Sequence, residues 1–253
     1  MTVKQLYKEL DRAIPTSLSC EWDNDGLMCC PNGQKEARRV LVTLDVTADA
    51  VQRAIDGKYD VIVSHHPFIF KGLKSVNDEN FISDKAIKLI QNGISVFSFH
   101  TRLDATVGGV NDTLASLLEL KNTESFGECG IGRIGELEKE MSGAALAELV
   151  KERLGAEGVL LANSGRPCKR VAVLGGEGGD DLYDAIAKGA DAYVSGRLGY
   201  HSMTDAPDMG ITLIEAGHFF TEQPICSQLV KMIKETDKSI ECDLFFSNRI
   251  KLI

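Results

Sequence analysis

One stretch of this chain is written twice, and that constrains its fold more than any other feature. Residues 39–64 align without a gap on residues 170–195. Shared apolar letters account for pairs such as Val40/Val171, Val42/Val173, Ala54/Ala185 and Val63/Val194, which any two buried βαβ units would show. They do not account for Arg39/Arg170, Asp49/Asp180, Asp60/Asp191 and Ser64/Ser195. Each copy reads as a β-branched run, a helix and a second apolar run, and in the first copy Thr47 is placed to cap the helix. Further along each half, NGISVFSF and MGITLIEA extend the echo. The fold class expected is therefore α/β, with two similar halves that arose by internal duplication, each built on a largely parallel sheet. The expected division is a first half over residues 1–120 completed by the C-terminal segment, a short connection over 121–168 with no large inserted domain, and a second half over 169–253.

In open α/β sheets ligands bind beyond the carboxyl ends of the strands, so residues just past those ends matter most. There are only five histidines, and four follow predicted strands directly. His65 and His66 end the first βαβ copy, His100 ends the next strand of that half, and His218 ends its counterpart in the second half. Three strand ends thus carry His-His-Pro, His-Thr-Arg-Leu-Asp and His-Phe-Phe-Thr-Glu. A single strand-end histidine is ordinarily a hydrogen-bonded surface residue. The joint pattern, with Asp104 four residues after His100 and Glu222 four residues after His218, points instead to a metal site. A mixed nitrogen and carboxylate set suits zinc, iron(II) or manganese(II) better than calcium or magnesium. Three histidines, one Asp and one Glu exceed what one tetrahedral ion needs, so two divalent ions per chain are expected. Gln223-Pro224 suggests that His218 opens a helix.

His201, in the polar segment after the second copy, is open to an acid/base role or a plain surface one. Gly175–Gly179 reads as a tight turn rather than a phosphate loop, because it lacks the P-loop Lys-Ser/Thr and is flanked by acids. Trp22, the one tryptophan, is a packing residue or a wall of the site.

Composition removes several function classes. The 37 acidic against 28 basic residues leave a net charge of -9, with no basic stretch to form a duplex nucleic-acid footprint. No apolar run reaches the roughly 18 residues a membrane helix needs. The seven cysteines are scattered without CxxC spacing and suit reduced thiols. The N-terminus reads as an amphipathic helix over about residues 2–13 with no apolar signal core, and a cytoplasmic location is expected.

WDNDGL, LVTLDVT, SHHPFIFKGLKS, HTRLDATVGGVND, VAVLGGEGG, SGRLGYHSMTDA and EAGHFFTE occur in that order over nearly the whole chain. Together they resemble the dinuclear-metal-centre family of GTP cyclohydrolase 1 type 2 homologues, also called Nif-three-like. The resemblance implies two intertwined α/β domains with a two-metal site in the cleft between them, and a homohexamer built as a trimer of dimers. It implies His65, His66, Asp104, His218 and Glu222 as the ligands, with Asp104 and Glu222 bridging. His100 and His201 fall on site-lining positions, where an imidazole could transfer protons. Arg102 stands where the family often has Asn, which suggests a cation near the entrance. Two functions follow as expectations: a metal-dependent hydrolase acting on a small molecule such as a nucleotide, or a non-enzymatic metal-handling or regulatory binding protein.

Overall fold

The computed structural model describes all 253 residues. The chain opens with α1 (Val3–Ala13), β1 (Gly26–Cys29), β2 (Arg39–Thr43), α2 (Ala48–Asp56), β3 (Val61–Ser64), α3 (Phe81–Gln91) and β4 (Ser95–Ser98). There follow α4 (Thr101–Ala105), α5 (Val110–Leu117), β5 (Lys121–Phe126), β6 (Gly132–Met141), α6 (Gly143–Leu154) and β7 (Leu160–Ala162). The rest is β8 (Cys168–Glu177), α7 (Leu182–Ala187), β9 (Ala192–Arg197), α8 (Tyr200–Met209), β10 (Thr212–Glu215), α9 (His218–Glu222), α10 (Ile225–Thr236) and β11 (Glu241–Phe245). No helix is long and apolar enough to cross a membrane.

The chain divides into two compact units. The first comprises Met1–Leu103 with Ile225–Arg249. Its five-stranded sheet runs β1-β4-β3-β2-β11, parallel except for β1. β3 and β4 are buried at every position, as expected of strands covered on both faces. α2 and α3 cover one face, where Val51, Ala54 and Leu89 meet Leu41, Ile62 and Val96. The caps follow local sequence: Thr47 Oγ1 accepts from Ala50 N at 3.1 Å, and Thr2 with Gln5 forms a capping box on α1.

The second unit comprises Asp104–Pro224 with Ile250–Ile253. Its six strands run β5-β6-β8-β9-β10-β7, with β8, β9 and β10 parallel. Alternation along β8 feeds two cores. Val171 and Val173 pack with Leu114, Leu146 and Val150, while Ala172 and Leu174 pack with Leu182, Ala185 and Leu213.

Three boundaries differ from those expected. The units part at Leu103/Asp104 rather than near residue 120, because Leu114, Ala115 and Leu118 bury themselves with the second sheet's Val171 and Val173. Residues 121–168 do more than connect: they supply β5, β6 and β7 of that sheet, and α6 with its Leu146 and Val150. β8 runs through Gly175 and Gly176 to Glu177, so the glycine-rich turn begins at Gly178, three residues later than its composition suggests.

The duplication appears as equivalent hydrogen bonds within each unit. Asp60 Oδ2 accepts from the amides of Arg38 and Arg39 at 2.8 and 3.0 Å. Asp191 Oδ2 accepts from Lys169 and Arg170 at 3.0 and 2.8 Å. Beyond the copies, Phe99 N donates to Ser64 O at 2.9 Å and Ala216 N to Ser195 O at 2.8 Å.

Candidate metal centre

In the first unit, β3 and β4 are parallel neighbours with Ser64 opposite Ser98. Their carboxyl ends therefore release His65, His66 and His100 at one edge. The two serine hydroxyls lie 2.9 Å apart; Ser64 also bonds His66 O at 2.9 Å, and Ser98 accepts from Phe68 N at 3.1 Å. This fixes the backbone from which the histidines project. The ring centroids are 5.0 Å apart for His65 and His66, 5.4 Å for His65 and His100, and 5.8 Å for His66 and His100. Their ligand atoms all lie within 4.8 Å of one another.

Each imidazole is oriented through Nδ1. His65 Nδ1 meets Phe99 O at 2.9 Å, His66 Nδ1 meets Asp45 Oδ1 at 2.8 Å, and His100 Nδ1 meets Asp23 Oδ1 at 2.9 Å. A carbonyl can only accept, and so can a carboxylate, so the hydrogen-bond network assigns the proton to Nδ1 and the lone pair to Nε2. Asp23 is secured further: its Oδ2 accepts from Thr101 N at 3.0 Å and Thr101 Oγ1 at 2.6 Å. Burial alone would raise the Asp23 pKa, but the bonds from His100 and Thr101 outweigh it and hold the carboxyl at about 2. An acceptor behind each ring is what metal-binding histidines require. These donors therefore fit a divalent transition ion.

In the second unit, β10 ends in Ala216-Gly217, where Gly217 (φ +85°) turns the chain into α9. His218 Nε2 and Glu222 Oε2 are 3.0 Å apart across one helical turn, close enough to share a cation. Glu222 is buried and His218 is exposed at the helix start. α9 lies so close to β8 and β9 that glycine is needed twice. A Cβ on Gly176 would overlap Glu222 Oε1, and one on Gly196 would lie 2.7 Å from His218 Cα. Thr221 Oγ1 accepts from Gly176 N at 3.1 Å and completes the attachment. Pro224 directly precedes α10, so the proline opens that helix and not the one carrying His218.

Asp104 sits on α4, the helix that begins directly after His100, and is 7% exposed. Asn111, fully buried, donates to Asp104 O at 3.5 Å and accepts from Gly175 N at 2.7 Å. Several of the expected His, Asp and Glu side chains could thus hold metal: His65, His66 and His100 form one group, and His218 pairs with Glu222. His100, expected only to line the site, stands among the possible ligands. His201 does not join His218 and Glu222; it is exposed at the start of α8 with its ring against Tyr200.

Arg102 corrects the expectation of a cation at the entrance. Only 1% of its side chain is exposed. Its Nη1 bonds Asp11 Oδ1 at 2.7 Å, Ile14 O at 3.0 Å and Thr16 Oγ1 at 3.0 Å, its Nε bonds Asp25 Oδ2 at 3.0 Å, and its carbon lies 4.7 Å from the Phe99 ring centroid. Asp25 Oδ2 also accepts the His100 amide at 3.1 Å. Sequence reading missed Asp23, Asp25, Asp45 and Asn111. The signal for Asp23 and Asp25 was a loop with two acids near the lone tryptophan; Asp45 stands just past the first strand of the duplicated unit.

Comparison with known proteins finds relatives along almost the whole chain. The family model Duf34/NIF3 (NGG1p interacting factor 3) matches residues 1–252. A Clostridium acetobutylicum protein named "GTP cyclohydrolase 1 type 2 homolog" is 34% identical over 234 residues, covering 88% of this chain and 86% of that one. The crystal structure of Staphylococcus aureus protein SA1388 superposes with a TM-score of 0.89 at 27% identity, covering 100% and 99%. A Bacillus cereus protein related to NIF3 gives 0.90 at 23% identity over 100% and 99%, a likeness of fold. With the family model spanning the chain almost end to end, this protein belongs to the DUF34/NIF3 family.

Proposed function

We propose that this chain is a metal-dependent hydrolase in which His65, His66, Asp104, His218 and Glu222 would hold two divalent ions. The observation that carries this reading is the group of three imidazoles, His65, His66 and His100, whose Nδ1 atoms each meet a fixed acceptor and whose ligand atoms lie within 4.8 Å of one another. Ions bound there would supply Lewis acidity and lower the pKa of a coordinated water toward neutrality. The protein's own part is to hold the donors and manage protons. His65 is fully buried. His100 is partly exposed, so it can pass a proton between Nε2 and solvent while Asp23 keeps its Nδ1 proton in place.

The relatives' name, GTP cyclohydrolase 1 type 2 homolog, makes GTP the first substrate to test, with hydrolysis at the imidazole carbon of its base as the reaction proposed. A homohexamer arranged as a trimer of dimers in the cytoplasm is proposed from the sequence resemblance alone. Elemental analysis of purified protein, followed by a turnover screen that includes GTP with the metal found, tests the proposal. About two divalent ions per chain with turnover that disappears in His100→Ala supports it. Metal-loaded protein inert toward nucleotides, esters and amides would favour the second reading, a metal-handling or regulatory binding protein. For that reading the exposed His218 is the relevant feature, since it offers an incoming ion a first ligand. Metal-free protein, with His65→Ala and Asp104→Ala both silent, refutes both.

A further inference from the structure

A cavity of ≈ 470 Å³ lies in the first unit beside His66, a volume typical of sites for small organic molecules. Exposed aromatic rings and cationic side chains line it together. Phe70 and Phe81 are 44% and 72% exposed, large aromatic surfaces left open to water. Lys85 and Arg249 bring two cations to the same space. The Lys85 ammonium sits 5.6 Å from the Phe81 ring centroid and donates to Val46 O at 2.6 Å, a neutral acceptor that leaves its charge available. Burial first, and then the neighbouring charge of Arg249, lower the Lys85 pKa from its ordinary value, a sign that the two cations share one space. The acids nearby are engaged: Asp45 with His66 at 2.8 Å, Asp84 with Lys88 at 2.8 Å, and Asp49 with Arg249 at 2.5 Å.

We propose that this cavity binds a planar aromatic molecule carrying one anionic group, its ring on Phe70 and Phe81, its anion on Lys85 and Arg249, and its free edge beside His66. A neutral ring would cover the phenylalanines but desolvate the Lys85 ammonium, whose hydrogen bond is to a neutral carbonyl, while Arg249 already has Asp49. A small inorganic anion would pair the cations and leave the rings wet. Only a ligand with both parts satisfies both. The anion can be a phosphonate or phosphate, or a carboxylate, since a lysine and an arginine accept either. The inference adds a substrate class to the proposed hydrolase and rests on that reading only for the role of His66.

Trp22 offers a local reporter, because its ring centroid is 6.3 Å from that of Phe70. Titrations followed by tryptophan fluorescence would use benzylphosphonate, phenylacetate, benzyl alcohol and methylphosphonate. One of the two aromatic anions should bind at least about tenfold tighter than either benzyl alcohol or methylphosphonate. The tighter one identifies the acid. Lys85→Met and, on the exposed arm, Arg249→Met should each weaken the anion while leaving benzyl alcohol unchanged; Phe81→Ala should weaken both. Equal affinity for benzyl alcohol and the anions, or no effect of either cation variant, overturns the proposal. Elemental analysis of the same samples separates the two readings. Metal without probe binding removes the cavity and keeps the metal site, and probe binding without metal does the reverse.

Discussion

Replacing Arg102 by Met removes a buried cation while keeping most of the side-chain length, and the cost can be worked from its partners. Taking one member out of a buried ion pair costs about 3–5 kcal/mol, because the remaining charge is left without compensation. Two carboxylates face Arg102. Asp11 is 36% exposed and can rehydrate, whereas Asp25 is 4% exposed and cannot. With one stranded charge rather than two, the loss should fall at the low end, about 3 kcal/mol. For a chain of this size that corresponds to a drop in melting temperature of roughly 6–12 °C. Urea unfolding at neutral pH measures the free energy directly. The double variant R102M/D25N should recover about 1.5–3 kcal/mol relative to additivity, since it removes the stranded charge along with its partner. A guanidinium facing solvent would instead give a change within about 0.5 kcal/mol. If R102M shows that small change, or if the double variant is simply additive, the buried-network argument fails.

Other variants test the site and its support. Asp23→Ala removes the acceptor behind His100 and should lower turnover about 10–100-fold, with metal content, read by elemental analysis, nearly unchanged if His100 is a proton carrier. Gly176→Ala drives a methyl into Glu222 at φ +73° and should abolish stoichiometric metal binding while costing roughly 1–3 kcal/mol in urea unfolding. Asp60→Ala and Asp191→Ala each orphan two backbone amides and should cost about 2 kcal/mol apiece by the same measurement. Burial would raise the Asp60 pKa, but Lys35 and the amides of Arg39 and Arg38 outweigh it and hold it below 3.8. Its stabilisation is therefore complete above the unfolded pKa and is lost as pH falls through the lower folded value. The gap between wild type and Asp60→Ala should narrow on acidification below about pH 4, as unfolding curves at stepped pH would reveal.

How much of this was legible beforehand follows from what each signal depends on. Strand-helix periodicity and the repeat are local, so the α/β class and the histidine-bearing strand ends could be read from the letters. Which acids stand behind those histidines depends on tertiary return paths. Asp23 reaches His100 across 77 positions of sequence, and Asp45 reaches His66 across 21. The division of the chain was hidden for a similar reason: Leu114 and Leu118 carry an ordinary helical apolar stripe, and nothing in that stripe says which sheet it covers. Arg102 misled because a charge beside a site motif is read as solvent-facing, while its real partners, Asp11, Ile14 and Thr16, lie at the end of the first helix and just beyond it.

The two copies differ where the backbone leaves no room, and this explains the unequal sharing of ligands. Both keep the aspartate that secures the strand start and the serine whose carbonyl accepts from the chain after the next strand. In the repeat alignment His65 and His66 correspond to Gly196 and Arg197. Gly196 cannot carry an imidazole, because a Cβ there would press on Gly176 O and on the His218 and Thr221 atoms of α9. The close approach that brings His218 and Glu222 over the second sheet thus excludes a histidine at the equivalent strand end. The first copy carries two histidines, His65 and His66, at that point. Gly196→Ala offers the sharpest test of that account. It should disturb metal binding through α9 although it adds one methyl and removes no ligand, and unchanged metal stoichiometry in a folded Gly196→Ala protein would refute it.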